Sequence, residues 1–450
     1  MSTQTMTAWQ CHPKAEAIVL NLLEEACRSN PFVAKLQNEL QQQTSTRLFD
    51  WIDHVVVGHS AAREKELKEA GYEPEATTSS YQVLHHPGAQ LPRVVMRKNG
   101  DKAIEIAVTV DSIADFLMIH GLSKEIEGTV LGHYRRSGVA IEGKTTLWIV
   151  ERRCSNTMEP SQFDSKYVEA YIQATEMWST RPRGLDDEDT AMKKAIVIAN
   201  KMIELVGKDL AAWIVMECER KYWQARNTAA QFQKNRQDRL GMGWANHDHH
   251  TFRSSRRHFA QLIKLFEVLG FYCRERFYAG KEAGWGAQIM EHPNTRLVLF
   301  LDVDLEPQEI EIDFRSYKLP ELKKMSTVGL WCALHGDSIL KAGMHHLEAQ
   351  FLFEELTKDL AIKGINMMNP FSDFPYLRQA FTKGENWKVD KKRVENLLKA
   401  NLITQEQAEK FSSQGAIGSH LENLQRREGY KGFNQHNVSY IIQKTDPRNA

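Results

Sequence analysis

The chain has 450 residues, room for two or three ordinary domains or one large composite. Lys plus Arg and Asp plus Glu both number 58, so the net charge is zero, against the basic surplus of a dedicated nucleic-acid binder; hydrophobic content is 42%, with no apolar run long enough to span a membrane. The start lacks the basic region and apolar run of a secretory signal, and Cys11, Cys27, Cys154, Cys218, Cys273 and Cys332 form no CxxC pair, so neither a disulfide framework nor a zinc ribbon is expected and a reducing cytoplasm is the expected compartment.

In chain order, residues 13 to 44 read as helical, with apolar residues at three- and four-residue steps in "KAEAIVLNLLEEAC". "WIDHVVVG" reads as a strand and "AAREKELKEAGY" as a short helix. "SYQVLHHP", "LPRVVMR", "KAIEIAVTV" and "GKTTLWIVERR" follow as strands separated by turn residues. From Asp186 the sequence favours helix almost throughout to about residue 240. Its acidic start suits the positive end of a helix dipole, and Gly207 is expected to break it in two. The Lys/Arg density near 220 to 239 reads as the solvated face of a long helix rather than an RNA-binding arm. Strand patterning returns at Trp244 with "WANHDHHTFR", then a helix in "SRRHFAQLIKLFEVLGF", then strands in "AGWGAQIMEHP", "TRLVLFLDVDL" and "QEIEIDF". Beyond residue 335 a helix is expected over "LKAGMHHLEAQFLFEELTKDL", with further helical pieces at 390 to 426 and a last strand at "NVSYIIQK".

The two strand-rich regions repeat each other. Each opens with Asp-His on a strand, followed by a helix ending in Ala-Gly-Tyr or Leu-Gly-Phe. Laid together without a gap, Gln82 falls on Gln288, His86 on His292, Pro87 on Pro293 and Glu105 on Glu311. The expected organisation is therefore N-terminal helices (1–46), a first βαβββ module (47–155), a helical insert (156–241), a second βαβββ module (242–330) and a mixed, mainly helical extension (331–450).

Side chains alternate along a strand. His247, His249, Thr251 and Arg253 share one face; Asp248, His250 and Phe252 share the other. A slip of one residue exchanges these faces and would put His250 in the place of His249. Glu105 and Glu311 each alternate with isoleucines, so each carboxylate can look into a polar interior while the isoleucines pack behind. A lone His54 on an apolar strand reads first as a hydrogen-bonded core residue, and Glu alternating with Ile as a half-solvated strand.

Paired βαβββ modules resemble the vicinal oxygen chelate superfamily of glyoxalases and extradiol dioxygenases, in which two modules form a half-open barrel around a divalent metal. The resemblance implies an α+β fold and metal ligands at His54, Glu105, His249 and Glu311. A second resemblance, carried by "DHHTFRSS", "LFEVLGFYCRERFYAGKEAGW", "RLVLFLDVDL" and "RREGYKGFNQHNVSYIIQKT", is to the 2-oxoadipate dioxygenase/decarboxylase family. That family uses iron(II) held by two His and one Glu, with an Arg four residues after one His holding a substrate carboxylate. Here that Arg is Arg253, after His249; after His54 the corresponding residue is Gly58, a departure. In "LWIVERR" Trp148 stands where the family's last ligand Glu would sit.

Imidazole plus carboxylate suits borderline divalent metals; two His and one carboxylate with open positions suit Fe(II) and oxygen, whereas two His and two Glu suit Lewis-acid isomerisation. The expectation is a metal-dependent enzyme, an Fe(II) dioxygenase acting on a small oxo- or hydroxy-carboxylic acid, with Arg253 and His250 as catalytic candidates. Zn, Mn and Ni remain alternative metals, and an oligomer is compatible with the chain. The competing readings are a metal-dependent isomerase or lyase and a non-catalytic binder of a small molecule or partner. His345, His346 and Glu348 are read on a helix, with His345 and Glu348 three apart on one face. His420, Glu422 and Arg426 lie near the tail without an assigned role. Cys332 and His335 lack the third group of a thiol–histidine nucleophile, and neither a P-loop nor GxGxxG occurs.

Overall fold

A computed structural model describes residues 8–98, 103–184, 187–281, 283–314, 317–434 and 445–449. The strand expected at "NVSYIIQK" lies outside the described residues. Two helices open the fold, α1 (Pro13–Ser29) and α2 (Pro31–Thr44). Asn30 separates them: its side chain accepts from the backbone N–H of Phe32 and Val33, and Pro31 occupies a first-turn position where no N–H is needed.

The first sheet contains β1 (Ile52–Gly58), β2 (Glu73–Thr77), β3 (Tyr81–His85), β4 (Arg93–Arg97), β5 (Ile104–Thr109), β6 (Tyr134–Glu142) and β7 (Thr145–Arg152), with α3 (Ala61–Glu69) after β1 and α4 (Ile113–Ile119) after β5. Its strand order is β2-β3-β4-β1-β5-β7-β6. Leu22, Leu36 and Leu40 of the opening helices pack with Trp51, Val55 and Ile106 in one core.

Between the sheets run α5 (Ser165–Ser179), α6 (Glu188–Val206), α7 (Lys208–Gln224) and α8 (Thr228–Asp238). Asp187 caps α6 and acids fill its first turn, as the dipole favours. Gly207, at φ 79°, ends α6 and starts α7, as expected. Trp178, Met202, Ile214 and Trp223 of these helices join Phe252 and Phe266 in the largest core. Several of the basic residues are engaged in that packing: Arg236 pairs with Asp359, and Arg181 and Arg183 hold the buried Glu219, each at 2.7 Å.

The second sheet contains β8 (His247–Arg253), β9 (Tyr272–Tyr278), β10 (Trp285–Glu291), β11 (Val298–Asp304), β12 (His346–Ala349), β13 (Ser372–Phe374), β14 (Leu377–Phe381) and, after the small pair β15 (Glu385–Trp387) and β16 (Ala416–Ser419), β17 (Glu422–Arg426). Along this part of the chain, after the first of its strands, lie α9 (Phe259–Val268), α10 (Thr327–His335), α11 (Phe353–Ala361), α12 (Lys391–Lys399) and α13 (Gln405–Gln414). The strand order is β13-β14-β17-β12-β8-β11-β10-β9.

The two sheets are copies. In each, the first strand is parallel to the fourth and antiparallel to the fifth: β1 with β4 and β5, β8 with β11 and β12. The fifth strand then begins a second strand–helix–strand unit whose last strand returns parallel beside it, β7 beside β5 and β17 beside β12. The α+β class and the two βαβββ modules expected from the sequence are present, and each module is paired with a following unit in the same sheet.

Two local expectations change. "QEIEIDF" is not a strand: after β11 the chain makes a 3-10 turn at Pro307–Glu309, and Glu311 sits exposed on a turn. "AGMHHLEA" is not helical but supplies β12, because the segment is pulled into the sheet beside β8. The extension after residue 331 is mixed: besides α11, α12 and α13 it supplies β12, β13, β14 and β17, four of the eight strands of the second sheet. None of the described helices is long and apolar enough to cross a membrane.

Candidate metal centre

Strand alternation decides what the second sheet encloses. On β8, Phe252 points outward to the helices, while His249 packs inward on Phe300 and Phe433, at ring-centroid distances of 4.5 and 4.8 Å. His249 pairs in register with Glu348, and Thr251 with His346, so both β12 side chains share the inward face of His249. Glu348 in turn pairs in register with Glu422 on β17. His249, His346, Glu348 and Glu422 are all buried.

Hydrogen bonds orient this cluster. His249 Nδ1 bonds Asp248 at 3.0 Å, and Asp248 is gripped by Arg426 at 2.9 and 3.1 Å. That grip, added to the histidine contact, holds the Asp248 carboxyl far below the usual carboxylate range despite burial. Nδ1 is thereby occupied and Nε2 faces inward. Nε2 touches Glu348, yet neither Nε2 nor Glu348 Oε2 has a hydrogen-bond partner. Two buried atoms in contact, each with a lone pair and neither with another partner, are what a cation held by both would satisfy. His346 Nε2 lies 3.0 Å from Glu422 and 3.7 Å from Glu348, and its Nδ1 bonds His420 Nε2 at 3.1 Å. Gln379 donates to Glu422 at 3.2 Å.

Burial sets the protonation. Removed from water, Glu422 is pushed up to about 8, and Glu348, also facing Glu422, is raised well above its ordinary value. Burial pushes His249 down to about 4 and His420 to about 3, and holds His346 well below its usual range. Around neutral pH the interior therefore presents neutral imidazoles, the form that ligates metals.

The expected site residues separate. His249 belongs to the cluster. Arg253 lies on the same inward face, buried, with Asp302 at 3.8 Å. His250 faces outward: Arg220 Nη1 donates to its Nε2 at 3.2 Å and the His247 ring lies 5.1 Å away, so it looks away from the interior that His249 enters. Glu311 is exposed on its turn and reaches none of these groups. His54 and Glu105 lie inside the first sheet, along a cavity of about 230 Å³. There Glu105 pairs with Arg97 at 2.5 Å and accepts from Trp148 Nε1 at 2.8 Å. Among the described residues, neither His54 nor Glu105 joins a cluster of ligand-capable side chains.

The copy relation explains that outcome. His54 bonds Asp53 at 2.7 Å, and Arg152 grips Asp53 at 2.6 and 2.8 Å, repeating His249, Asp248 and Arg426. But His54 pairs in register with Ala107 where His249 pairs with Glu348, and Ala107 pairs with Trp148 where Glu348 pairs with Glu422. The first sheet keeps the imidazole and its clamp and lacks both carboxylates. Sequence reasoning missed His346, Glu348 and Glu422. The available signal was the four-residue step from Trp148 to Arg152, repeated from Glu422 to Arg426.

No protein-family model and no curated protein matches the sequence. Solved structures do. A triple mutant of 4-hydroxymandelate synthase from Streptomyces coelicolor aligns over 89% of this chain and 99% of its own, at 11% identity and a TM-score of 0.31. Methylmalonyl-CoA epimerase from Mycobacterium tuberculosis aligns over 41% of this chain and 89% of its own, at 11% identity and TM-score 0.24. A xylose isomerase-like TIM barrel/4-hydroxyphenylpyruvate dioxygenase fusion protein aligns over 91% of this chain and 56% of its own, at 11% identity and TM-score 0.24. At these identities the chemistry rests on the chain's own residues. The doubled βαβββ topology, read from the strand pairings themselves, is that of the vicinal-oxygen-chelate-like fold that the sequence resembles.

Proposed function

We propose that the chain is a metal-dependent enzyme acting on a small carboxylate-bearing substrate inside the second sheet, and that its chemistry is that of an Fe(II) dioxygenase. The observation that carries this is the convergence of His249 Nε2 and Glu348 Oε2, both buried and both without a hydrogen-bond partner. The donor set is His249, His346 and the carboxylate pair Glu348–Glu422. Two imidazoles and one carboxylate, with open positions, suit Fe(II) and dioxygen, which the bound metal would activate. The protein's own work is local. Arg426 and Asp248 fix the tautomer and aim of His249. Phe300 and Phe433 shield its ring from water. Arg253 offers guanidinium donors to an incoming carboxylate.

The sharing of one site by two carboxylates favours a second reading, in which both ligate and the enzyme is a Lewis-acid isomerase or lyase. Purified protein loaded anaerobically with Fe(II) and given a panel of small oxo and hydroxy acids separates the two. Acid-dependent oxygen consumption lost in His249→Ala supports the dioxygenase. Conversion of an acid without oxygen uptake supports the isomerase, and acid binding with no conversion supports a binding protein.

A further inference from the structure

Arg253 and Asp302 face each other across neighbouring parallel strands, in register on β8 and β11. Each is 3% exposed. Their closest approach, Nε to Oδ2, is 3.8 Å, outside hydrogen-bond range. Arg253 Nε and Nη1 and Asp302 Oδ1 have no hydrogen-bond partner. The contrast with Asp304, two residues on, is plain: that carboxylate accepts the backbone N–H groups of Ser326, Val328 and Gly329 at 2.9, 3.0 and 3.0 Å. Leaving donors and an acceptor side by side, dry and unjoined, is costly unless a ligand joins both.

Charge says what kind of ligand. Above neutrality, where Asp302 is ionised although burial pushes it up to about 7, Arg253 and Asp302 together are neutral. A simple carboxylate bound to Arg253 would leave a second negative charge beside Asp302 in a water-poor interior walled by Trp331, whose ring centroid lies 5.6 Å from the guanidinium carbon. A head group carrying both a carboxylate and an ammonium adds no net charge, and it supplies an acceptor to Arg253 and a donor to Asp302. We propose that Arg253 and Asp302 form a paired subsite for an α-amino-acid head group, so that the substrate is an amino acid presenting its zwitterionic end to β8 and β11 and its side chain towards His249. This deepens the proposed function and rests on it, since only that reading places the reacting end at His249.

The test is calorimetric titration, at about pH 8 where Asp302 is ionised, of the full-length, metal-loaded protein with three probes of equal length: L-2-aminopentanoate, 2-oxopentanoate and pentanoate. The wild type is expected to bind the amino acid at least about tenfold more tightly than either other acid. Asp302→Asn, which keeps the shape and removes the charge, should abolish that preference, while Arg253→Lys should weaken all three because the fork is lost. The wild-type ranking alone needs no variant to fold. Equal or tighter binding of pentanoate by the wild type, a preference that survives Asp302→Asn, or no binding of any probe would overturn the proposal. Failure of the underlying reading looks different: metal content undiminished in His249→Ala removes the metal centre whichever acid binds.

Discussion

If Glu348 and Glu422 flank a metal, taking up that metal must displace the proton they hold between them. Glu422 sits at about 8 and Glu348 is also raised, so the metal-free pair carries at least one proton from the ordinary carboxylate range up to about pH 8. His249, down to about 4, does not compete near neutrality. One displaced proton makes the apparent metal affinity rise tenfold per pH unit, so between about pH 6 and about pH 7.5 it should tighten roughly 30-fold. Titrating Mn(II) into metal-free protein in two buffers of different ionisation enthalpy reads the released proton directly. The stability linkage has a definite sign. A carboxyl whose folded value is raised stabilises the folded, metal-free protein while protonated; that contribution is present at low pH and lost as pH rises from the ordinary value through about 8. Metal-free protein should therefore melt lower at pH 8 than at pH 6, and metal should close the gap. Affinity independent of pH across this window, with no buffer-dependent heat, would refute the placement of metal at the carboxylate pair.

Asp248→Asn should weaken metal binding by about 10- to 100-fold while the protein stays folded, because the clamp on His249 Nδ1 is loosened; a metal titration checks it. His54→Ala and Glu105→Gln should leave metal stoichiometry unchanged by elemental analysis, since Ala107 and Trp148 occupy the places of the two ligand-bearing positions. Trp223→Ala should cost about 3–5 kcal/mol in denaturant unfolding, as it empties a fully buried site and removes the 2.7 Å bond from Nε1 to Ser419.

The repeat was legible in the sequence because β3 and β10 align without a gap: Gln82 and Gln288 lie on equivalent strands. It failed beyond them for a structural reason. Between β4 and β5 only residues 98–103 intervene, whereas residues 305–345, with a 3-10 turn and α10, separate β11 from β12. An ungapped match carried past that insertion lands on Glu311, in the inserted turn, instead of on β12. The strand β12 was hidden by its brevity. Four residues leading into a helix carry too little period-2 signal, and "HHLEA" merges with the helical pattern of α11. The step of two that joins His346 to Glu348 was thus read as the step of three that joins His345 to Glu348. His250 was a question of face alone, and the outward packing of Phe252 settles it.

The most direct measurement is the position of the metal itself, from crystals grown with Mn(II) or Fe(II) and anomalous scattering at the metal edge. The account predicts a single peak in each chain, between His249 and Glu348 with His346 and Glu422 beside it. A peak at His54 and Glu105, or none in the second sheet, would contradict it.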